Sequence, residues 1–202
     1  MSGTYRTMKY NSKARWLSYW YQISEALSFG PKSLLLIGKG SGVTEAMMGL
    51  FGEGKIRVVV LDIDSGLVPD VAADVRFLPF VDKGFDVIVC CQVLEHLPFD
   101  ALPGVLREFR RVAEKGIVIS VPHGRKSVKL SFSIQQVYEK DIILKNPLTK
   151  KKIRSKQHFW EIGRGVTRQQ FRKQLSEFFE IDREFLNEVN CAHRFFVMRP
   201  KQ

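Results

Sequence analysis

Three glycines and one distant aspartate are the residues in this chain whose types and spacing point most clearly to chemistry. Gly38, Gly40 and Gly42 follow a short apolar run and precede a segment of helical composition. A glycine turn at this place lets a ligand approach the backbone and the free N–H groups of a helix N-terminus. Asp62 ends the next apolar run, where a carboxylate can accept hydrogen bonds from both hydroxyls of a ribose. Together they predict a nucleoside site.

The spacing of these glycines indicates which nucleoside ligand to expect. The sequence reads G-x-G-x-G, whereas the dinucleotide fingerprint is G-x-G-x-x-G. A pyrophosphate is therefore not the favoured ligand. A nicotinamide-dependent oxidoreductase would also need a catalytic domain for which a chain of 202 residues has no room.

The elements that must position these residues alternate between strand-like apolar runs and helical patterns. The predicted strands are residues 33–37, 56–61, 85–91, 116–121, 181–186 and 194–199, and the predicted helices are 14–28, 43–51, 101–114 and 167–179. The apolar side chains at helical spacing in the leading helix are Trp16, Leu17, Trp20, Ile23 and Leu27, and those in the third helix are Leu102, Val105, Leu106, Phe109 and Val112. This alternation predicts a parallel α/β sheet covered on both faces.

Five segments in a fixed order carry a resemblance to a known family: SLLLIGKGSG, VVVLDID, ADVRFLPF, GFDVIVCCQVLEHLP and REFRRVAEKGIVISVP. They resemble the class I S-adenosylmethionine-dependent methyltransferases, specifically the type 11 group, over about residues 33–122. The resemblance implies an α/β fold with a Rossmann-like, seven-strand, mostly parallel sheet and helices on both faces in a single domain. It also implies S-adenosylmethionine as the cofactor.

Carried over residue by residue, the resemblance assigns the first two motifs to the cofactor. Gly38, Gly40 and Gly42 would line its methionine and ribose. Asp62 would hold the ribose hydroxyls, and Ile63 would flank the adenine.

The later motifs are assigned to the adenine and to the reacting end of the cofactor. Asp74 would accept a hydrogen bond from the adenine amino group, with Val75 beside it, or it is a loop acid that caps a turn. Cys91 and Gln92 would face the methionine and the reacting sulfur. Leu36 stands where the family usually has an acidic residue, so Glu45, Gln92 or the leading helix would have to contact the ammonium group.

Methyl transfer from a sulfonium is an in-line displacement that needs few catalytic side chains, because the cofactor brings the activation. An imidazole can remove the proton of a hydroxyl acceptor near neutral pH. His96 is the first candidate for this base, with a structural histidine bonded to backbone as the alternative, and His123 is the second candidate. QVLEH is similar to the ExxEH pattern with which some methyltransferases hold Mg²⁺, but Gln92 replaces its first acid, so we expect no metal.

Positive charge is concentrated in the second half of the chain, and this distribution indicates the kind of acceptor. Residues 1–100 carry 10 Lys and Arg against 11 Asp and Glu, whereas the remainder carries 22 against 10, and the segment 145–156 alone has six cations. A basic half favours an anionic small molecule or glycan as acceptor, with nucleic acid second. The rival hypothesis is a non-catalytic methyltransferase-fold module that binds RNA or an acidic partner.

The sequence divides into a leading helix (1–30), a cofactor-binding core (31–122), an acceptor-side cover (123–166) and a final helix with strands (167–202). Within the cover, QHFWEIGRG is either a lid with a polar handle or a packing strand. The sequence has no membrane-spanning stretch and no secretory signal, so we expect a cytoplasmic protein. Three cysteines without CxxC spacing predict neither disulfides nor a zinc site.

Overall fold

The computed structural model describes residues 5, 7–124, 127–134, 138–145, 155 and 157–201. The helices are α1 (Lys13–Leu27), α2 (Val43–Phe51), α3 (Leu102–Val112) and α4 (Arg168–Phe178). The strands are β1 (Ser33–Ile37), β2 (Arg57–Asp62), β3 (Val71–Ala72), β4 (Phe85–Cys91), β5 (Ala113–Pro122), β6 (Ser127–Ile134), β7 (Tyr138–Lys145), β8 (Glu161–Ile162), β9 (Gly165–Val166), β10 (Phe179–Leu186) and β11 (His193–Pro200).

Seven of these strands form one sheet in the order β10-β11-β5-β4-β1-β2-β3. Neighbouring strands from β5 to β3 are parallel, and β11 pairs antiparallel with both β5 and β10. The expected Rossmann-like, seven-strand, mostly parallel sheet in a single domain is confirmed. In such a sheet the carboxyl ends of the parallel strands share one edge, which is where this class of fold binds ligands.

Alternate side chains of the central strand β1 show how the helices cover both faces. Leu34 and Leu36 belong to the core cluster that includes Met48 of α2, whereas Leu35 and Ile37 belong to the cluster that includes residues of α3 and α4. Successive side chains of a strand point to opposite faces, so a strand buried on both sides is a continuous apolar run. This is why SLLLI could be recognised as a strand.

Helix boundaries follow their local signals. Thr167 caps α4, because its side chain accepts a hydrogen bond from the Gln170 backbone while the Gln170 side chain bonds back to Thr167. The predicted third helix begins one residue too early and ends two residues too late, since Ala101 belongs to the preceding 3-10 turn and Ala113 already pairs with Phe85 in the sheet. The apolar stripe of that helix is otherwise confirmed, and all five of its residues are buried.

The buried face of α1 differs from the predicted one. Trp16 and Trp20 remain 47% and 58% exposed, whereas Tyr19, Ile23 and Ala26 are buried. The helix turns polar side chains such as Ser18 and Gln22 inward as well, and these are buried too. A count of apolar residues could not identify this face, because part of it lines a cavity and carries polar groups.

The expected cover begins with an antiparallel pair of strands, β6 and β7, and ends with the short parallel pair β8 and β9. Most of the basic segment 145–156 lies outside the described residues. None of the described helices is both long and apolar enough to span a lipid bilayer.

Candidate functional site

A cavity of about 820 Å³ opens at the carboxyl edge of the parallel strands. Its wall takes residues that follow β1, β2, β4 and β5, together with one side of α1 and the segment before β8. The predicted site residues that line it are Gly38, Gly40, Asp62, Ile63, Asp74, Val75, Cys91, Gln92, His96 and His123. The topology thus brings together motifs that lie far apart in the sequence.

The glycine turn joins β1 to α2 in a conformation that requires glycine. Gly38, Gly40 and Gly42 have φ angles of 89°, 52° and 79°, which side chains rarely adopt. At Gly38 a Cβ atom would also lie 2.6 Å from Cγ2 of Val93. Gly42 caps α2 and is not among the described residues that line the cavity, so its role is in the turn itself.

Asp62 is oriented by two backbone groups. Its Oδ2 accepts a hydrogen bond from the Lys39 N–H at 2.8 Å, and its Oδ1 accepts one from the Asp64 N–H at 2.9 Å. Each carboxylate oxygen can accept more than one hydrogen bond, so a ribose can still be held. Next to it Ile63 is 73% exposed, an apolar surface facing the cavity.

Asp74 is a turn-capping residue that also lies at the cavity. It lines the cavity and also caps a turn, since Oδ1 accepts from the Arg76 backbone N–H at 2.9 Å. The Arg76 side chain bonds to Oδ2 at 2.6 Å, and this hydrogen bond lowers the pKa of the Asp74 carboxyl. An ionised carboxylate at this place can accept hydrogen bonds from a ligand amino group.

Ser120 holds Gln92, the residue that follows β4, through two hydrogen bonds. The Gln92 side-chain amide donates to Ser120 Oγ at 3.2 Å, and its backbone N–H donates to the Ser120 carbonyl at 2.8 Å. Gln92 has a φ angle of 59° and lines the cavity.

Cys91, the last residue of β4, is a neutral part of the cavity wall. Desolvation raises the pKa of its thiol to about 12, so it does not serve as a nucleophile.

His96 lies at the cavity with its Nδ1 atom 3.1 Å from the carbonyl oxygen of Gln157. Because a carbonyl only accepts, Nδ1 carries the proton and Nε2 has a free lone pair. Burial lowers the pKa of His96, and the neighbouring His158 lowers it further. His96 is therefore bonded to the backbone and carries an imidazole that is neutral near pH 7.

His123 is buried at the end of β5. Its backbone N–H donates to the Ala192 carbonyl at 2.6 Å, and Arg194 Nε lies 3.5 Å from its Nδ1 atom. The residue is held firmly at the cavity wall, next to the strand that bears Arg194.

Glu95, within QVLEH, and His158, within QHFWEIGRG, are not among the predicted site residues. One ligand atom from each of Glu95, His96 and His158 lies within 4.8 Å of the others. Desolvation raises the pKa of the Glu95 carboxyl to about 8, and the charge of Glu161 raises it further. Glu95 and His96 are adjacent in the sequence, but no local sequence pattern indicates that His158, some sixty residues later, lies beside them.

The leading helix supplies the polar wall where the usual acid is missing. Leu36 is buried within the core, so it offers no charge to a ligand. Gln22 lines the cavity and accepts a hydrogen bond from Thr44 Oγ1 at 2.8 Å. Glu45 is engaged by Lys39 at 3.4 Å. Among the expected substitutes, both Gln92 and Gln22 of the leading helix line the cavity.

His193 closes the wall beside this helix. Its Nδ1 atom lies 2.9 Å from Ser18 Oγ, and Asn187 donates to the same hydroxyl at 2.7 Å. Burial lowers the pKa of His193 to about 3, and the positive charge of Arg15 lowers it further. This imidazole is therefore neutral over the physiological range.

Comparisons with known proteins agree with this geometry. Residues 35–120 match a family model described as a methyltransferase domain. None of the curated proteins matches the sequence significantly. The matched residues include the last three residues of β1, the glycine turn, Asp62 and the end of β4, which build one side of the cavity.

Solved structures share the fold at low sequence identity. The PH0226 protein from Pyrococcus horikoshii OT3 has a TM-score of 0.58 and 16% identity, with 95% of this chain and 93% of that chain covered. The small RNA methyltransferase HEN1 has a TM-score of 0.66 and 13% identity over 93% of this chain, which spans only 25% of HEN1. The 1,6-didemethyltoxoflavin-N1-methyltransferase of Burkholderia thailandensis, solved with S-adenosylhomocysteine, has a TM-score of 0.57 and 13% identity, covering 100% and 87%.

Proposed function

We propose that the chain is a class I S-adenosylmethionine-dependent methyltransferase and that its cavity transfers the methyl group of S-adenosylmethionine to an anionic small molecule or glycan. The observation that carries this proposal is the convergence of the glycine turn, Asp62 and Asp74 on one cavity at the carboxyl edge of the sheet. Backbone N–H groups, a ribose acceptor and an adenine acceptor are the polar groups that such a cofactor needs.

The cofactor is proposed to lie across the ends of β1, β2 and β4. Asp62, already oriented by two backbone N–H groups, accepts the ribose hydroxyls with its remaining lone pairs. Exposed Ile63 packs against the adenine, and Asp74 accepts from its amino group. Gln92 then lies near the reacting sulfur, and Gln22 near the ammonium group.

The protein's contribution to the reaction is alignment and proton removal. The cofactor supplies an activated methyl group, so the chain must hold the acceptor in line and exclude water. His96 is the proposed base, because its Nε2 lone pair is free and its lowered pKa keeps it neutral near pH 7. His123, at the end of β5, is the second candidate.

The acceptor is proposed to bind between α1 and the segment 123–166, which serves as the cover. Gln157 and His158 of this segment line the cavity, as does Arg15 of α1. The carboxyl-terminal half of the chain is strongly basic, and cations around a cavity raise the local concentration of an anion. The names of the structural neighbours refer to acceptors as different as a small RNA and 1,6-didemethyltoxoflavin, so the charge of this chain is what supports an anionic acceptor.

Calorimetric titration with S-adenosylhomocysteine tests cofactor binding. We expect measurable heat and a higher melting temperature in its presence. Absence of both would overturn the proposal. Incubating cell extract with radiolabelled cofactor should then label the acceptor, and its KM should rise with ionic strength if it is an anion.

A non-catalytic binding module is the remaining alternative, because Leu36 replaces the usual acid. Cofactor binding without any labelled product, together with retention on RNA, would favour the module. The cytoplasmic location expected from the sequence stays a prediction.

A further inference from the structure

We propose that Glu95, His96 and His158 bind a divalent transition-metal ion at the cavity wall. One ligand atom from each of the three side chains lies within 4.8 Å of the others, and all three residues line the cavity. Glu95 and His96 belong to a short 3-10 turn after β4, whereas His158 precedes β8. Two segments remote in sequence therefore present their donor atoms to one point.

Hydrogen bonds hold both imidazoles in the form that binds a metal. His158 Nδ1 lies 3.1 Å from Glu161 Oε1, and the other oxygen of Glu161, Oε2, accepts a hydrogen bond from Arg164 Nη1 at 3.1 Å. His96 Nδ1 donates to the Gln157 carbonyl at 3.1 Å. Both Nδ1 atoms thus carry protons, and both Nε2 atoms keep free lone pairs. Metal-binding histidines commonly bond their other nitrogen to a carboxylate or a carbonyl in this way.

Glu95 supplies an independent observation. Its side chain is 1% exposed, and neither carboxylate oxygen accepts a hydrogen bond in the part of the chain that the structure describes. Burial of a carboxylate is costly unless a partner or a metal ion compensates for its lost hydration. A divalent cation among these three side chains provides that compensation.

The donor set selects the kind of metal. Two imidazole nitrogens and one carboxylate oxygen suit zinc, cobalt or manganese, whereas magnesium prefers oxygen ligands. The set of three does not include Gln92, whose amide nitrogen donates to Ser120. The sequence predicts no metal because Gln92 replaces the first acid of the motif, and no local pattern connects His158 to this place.

Three ligands from one wall leave coordination positions open toward the cavity. An oxygen of the acceptor can take one of them, and the cation then stabilises the negative charge on that oxygen. This use of the metal rests on the proposed function. With its lone pair on the metal, His96 no longer serves as base, and His123 becomes the candidate for that role.

Cobalt is the probe that tests the site. Titration of the tag-free, metal-free protein with Co²⁺ should produce visible absorption bands that saturate at one ion per chain. Zn²⁺ should displace the cobalt, and Mg²⁺ at the same concentration should not. Glu95→Gln and His158→Asn should each weaken Co²⁺ binding at least tenfold, as judged by the same absorbance.

Matched control variants distinguish loss of the three proposed ligands from a general effect of changing an acid or a histidine in the cavity. Asp64→Asn and His123→Asn remove another acid and another histidine that line the cavity, and both should leave Co²⁺ binding unchanged. Circular dichroism confirms that each variant is folded. Absence of Co²⁺ and Zn²⁺ binding in the folded wild type, or full binding in His158→Asn, overturns the proposal.

Calorimetry with S-adenosylhomocysteine in EDTA distinguishes this proposal from the proposed function. Cofactor binding without metal binding overturns only the metal site. Metal binding without cofactor binding overturns only the proposed function.

Discussion

Asp62 Oδ2 accepts a hydrogen bond from the backbone N–H of Lys39 at 2.8 Å, which ties the end of β2 to the glycine turn after β1. The carboxylate proposed to hold the ribose therefore also fixes the loop that approaches the rest of the cofactor. Binding and local structure are coupled at this residue. A substitution of Asp62 therefore requires a measurement of stability as well as of cofactor affinity.

Asp62→Ala removes the proposed acceptor of both ribose hydroxyls. Charge-assisted hydrogen bonds of this kind contribute about 1.5–3 kcal/mol each, so S-adenosylhomocysteine affinity should fall at least tenfold. Loss of the Lys39 bond should lower stability by about 1 kcal/mol without unfolding the chain. Calorimetry and urea unfolding measure the two effects.

Asp64→Ala is the matched control for Asp62. Asp64 is exposed, and its Oδ1 accepts from the Gly66 N–H at 2.9 Å. We expect much smaller effects on affinity. The opposite ranking of the two variants would contradict the assignment of β2 and of Ile63 to the adenine.

Gly38→Ala should damage the turn. The positive φ of 89° disfavours a side chain, and its Cβ would lie 2.6 Å from Val93 Cγ2. The backbone strain alone costs about 1–2 kcal/mol, so the melting temperature and the cofactor affinity should both fall. Gly49→Ala is the control, since Gly49 lies within α2 with nothing within 4 Å of its added Cβ. That change should be neutral or stabilising.

Ser120→Ala should loosen Gln92 without touching the ligand directly. It removes the hydroxyl that accepts from the Gln92 amide at 3.2 Å. A hydrogen bond of this kind contributes about 1 kcal/mol, so we expect S-adenosylhomocysteine affinity to fall by about fivefold. Ser28→Ala, which removes a helix-end hydrogen bond to Glu25, should not change the affinity. Equal affinities in the two variants would show that Gln92 does not contact the cofactor.

Stability should decrease as the solution becomes acidic, partly because of His193. The pKa of His193 is about 3 in the folded protein, and an exposed histidine in the unfolded chain titrates near 6.5. The unfolded state therefore takes up a proton first as pH falls below about 6.5. One such proton lowers the unfolding free energy by up to about 1.4 kcal/mol per pH unit until the folded pKa is reached.

Urea unfolding at pH 7 and pH 5 measures this effect. His193→Gln should lose less stability than the wild type between the two pH values. The comparison between the two proteins isolates the contribution of His193 from that of carboxyl groups such as Glu95. Because the pKa of Glu95 is raised in the folded protein, its contribution to stability increases as the pH falls, opposite to that of His193. Identical losses in both proteins would contradict a neutral, buried His193.

Local patterns determined much of this fold in advance. The bounds of β1, α2 and β4 agree with the sequence prediction, because each is an uninterrupted apolar or helical pattern ended by glycine or by polar residues. Asp62 and Gly38 could be placed at one site for a related reason. The carboxyl ends of parallel strands meet at one edge, so residues that end successive strands converge.

Contacts between remote segments were decided only by the tertiary structure. The outward orientation of the α1 tryptophans and the meeting of His158 with Glu95 and His96 have no periodic signature. Sequence periodicity reports which side of an element is apolar, over a few turns or one strand. It does not report which polar groups from other segments lie opposite, or how far burial shifts their pKa values. Those properties depend on the packing of the whole chain, which brings His158 to the buried carboxylate of Glu95.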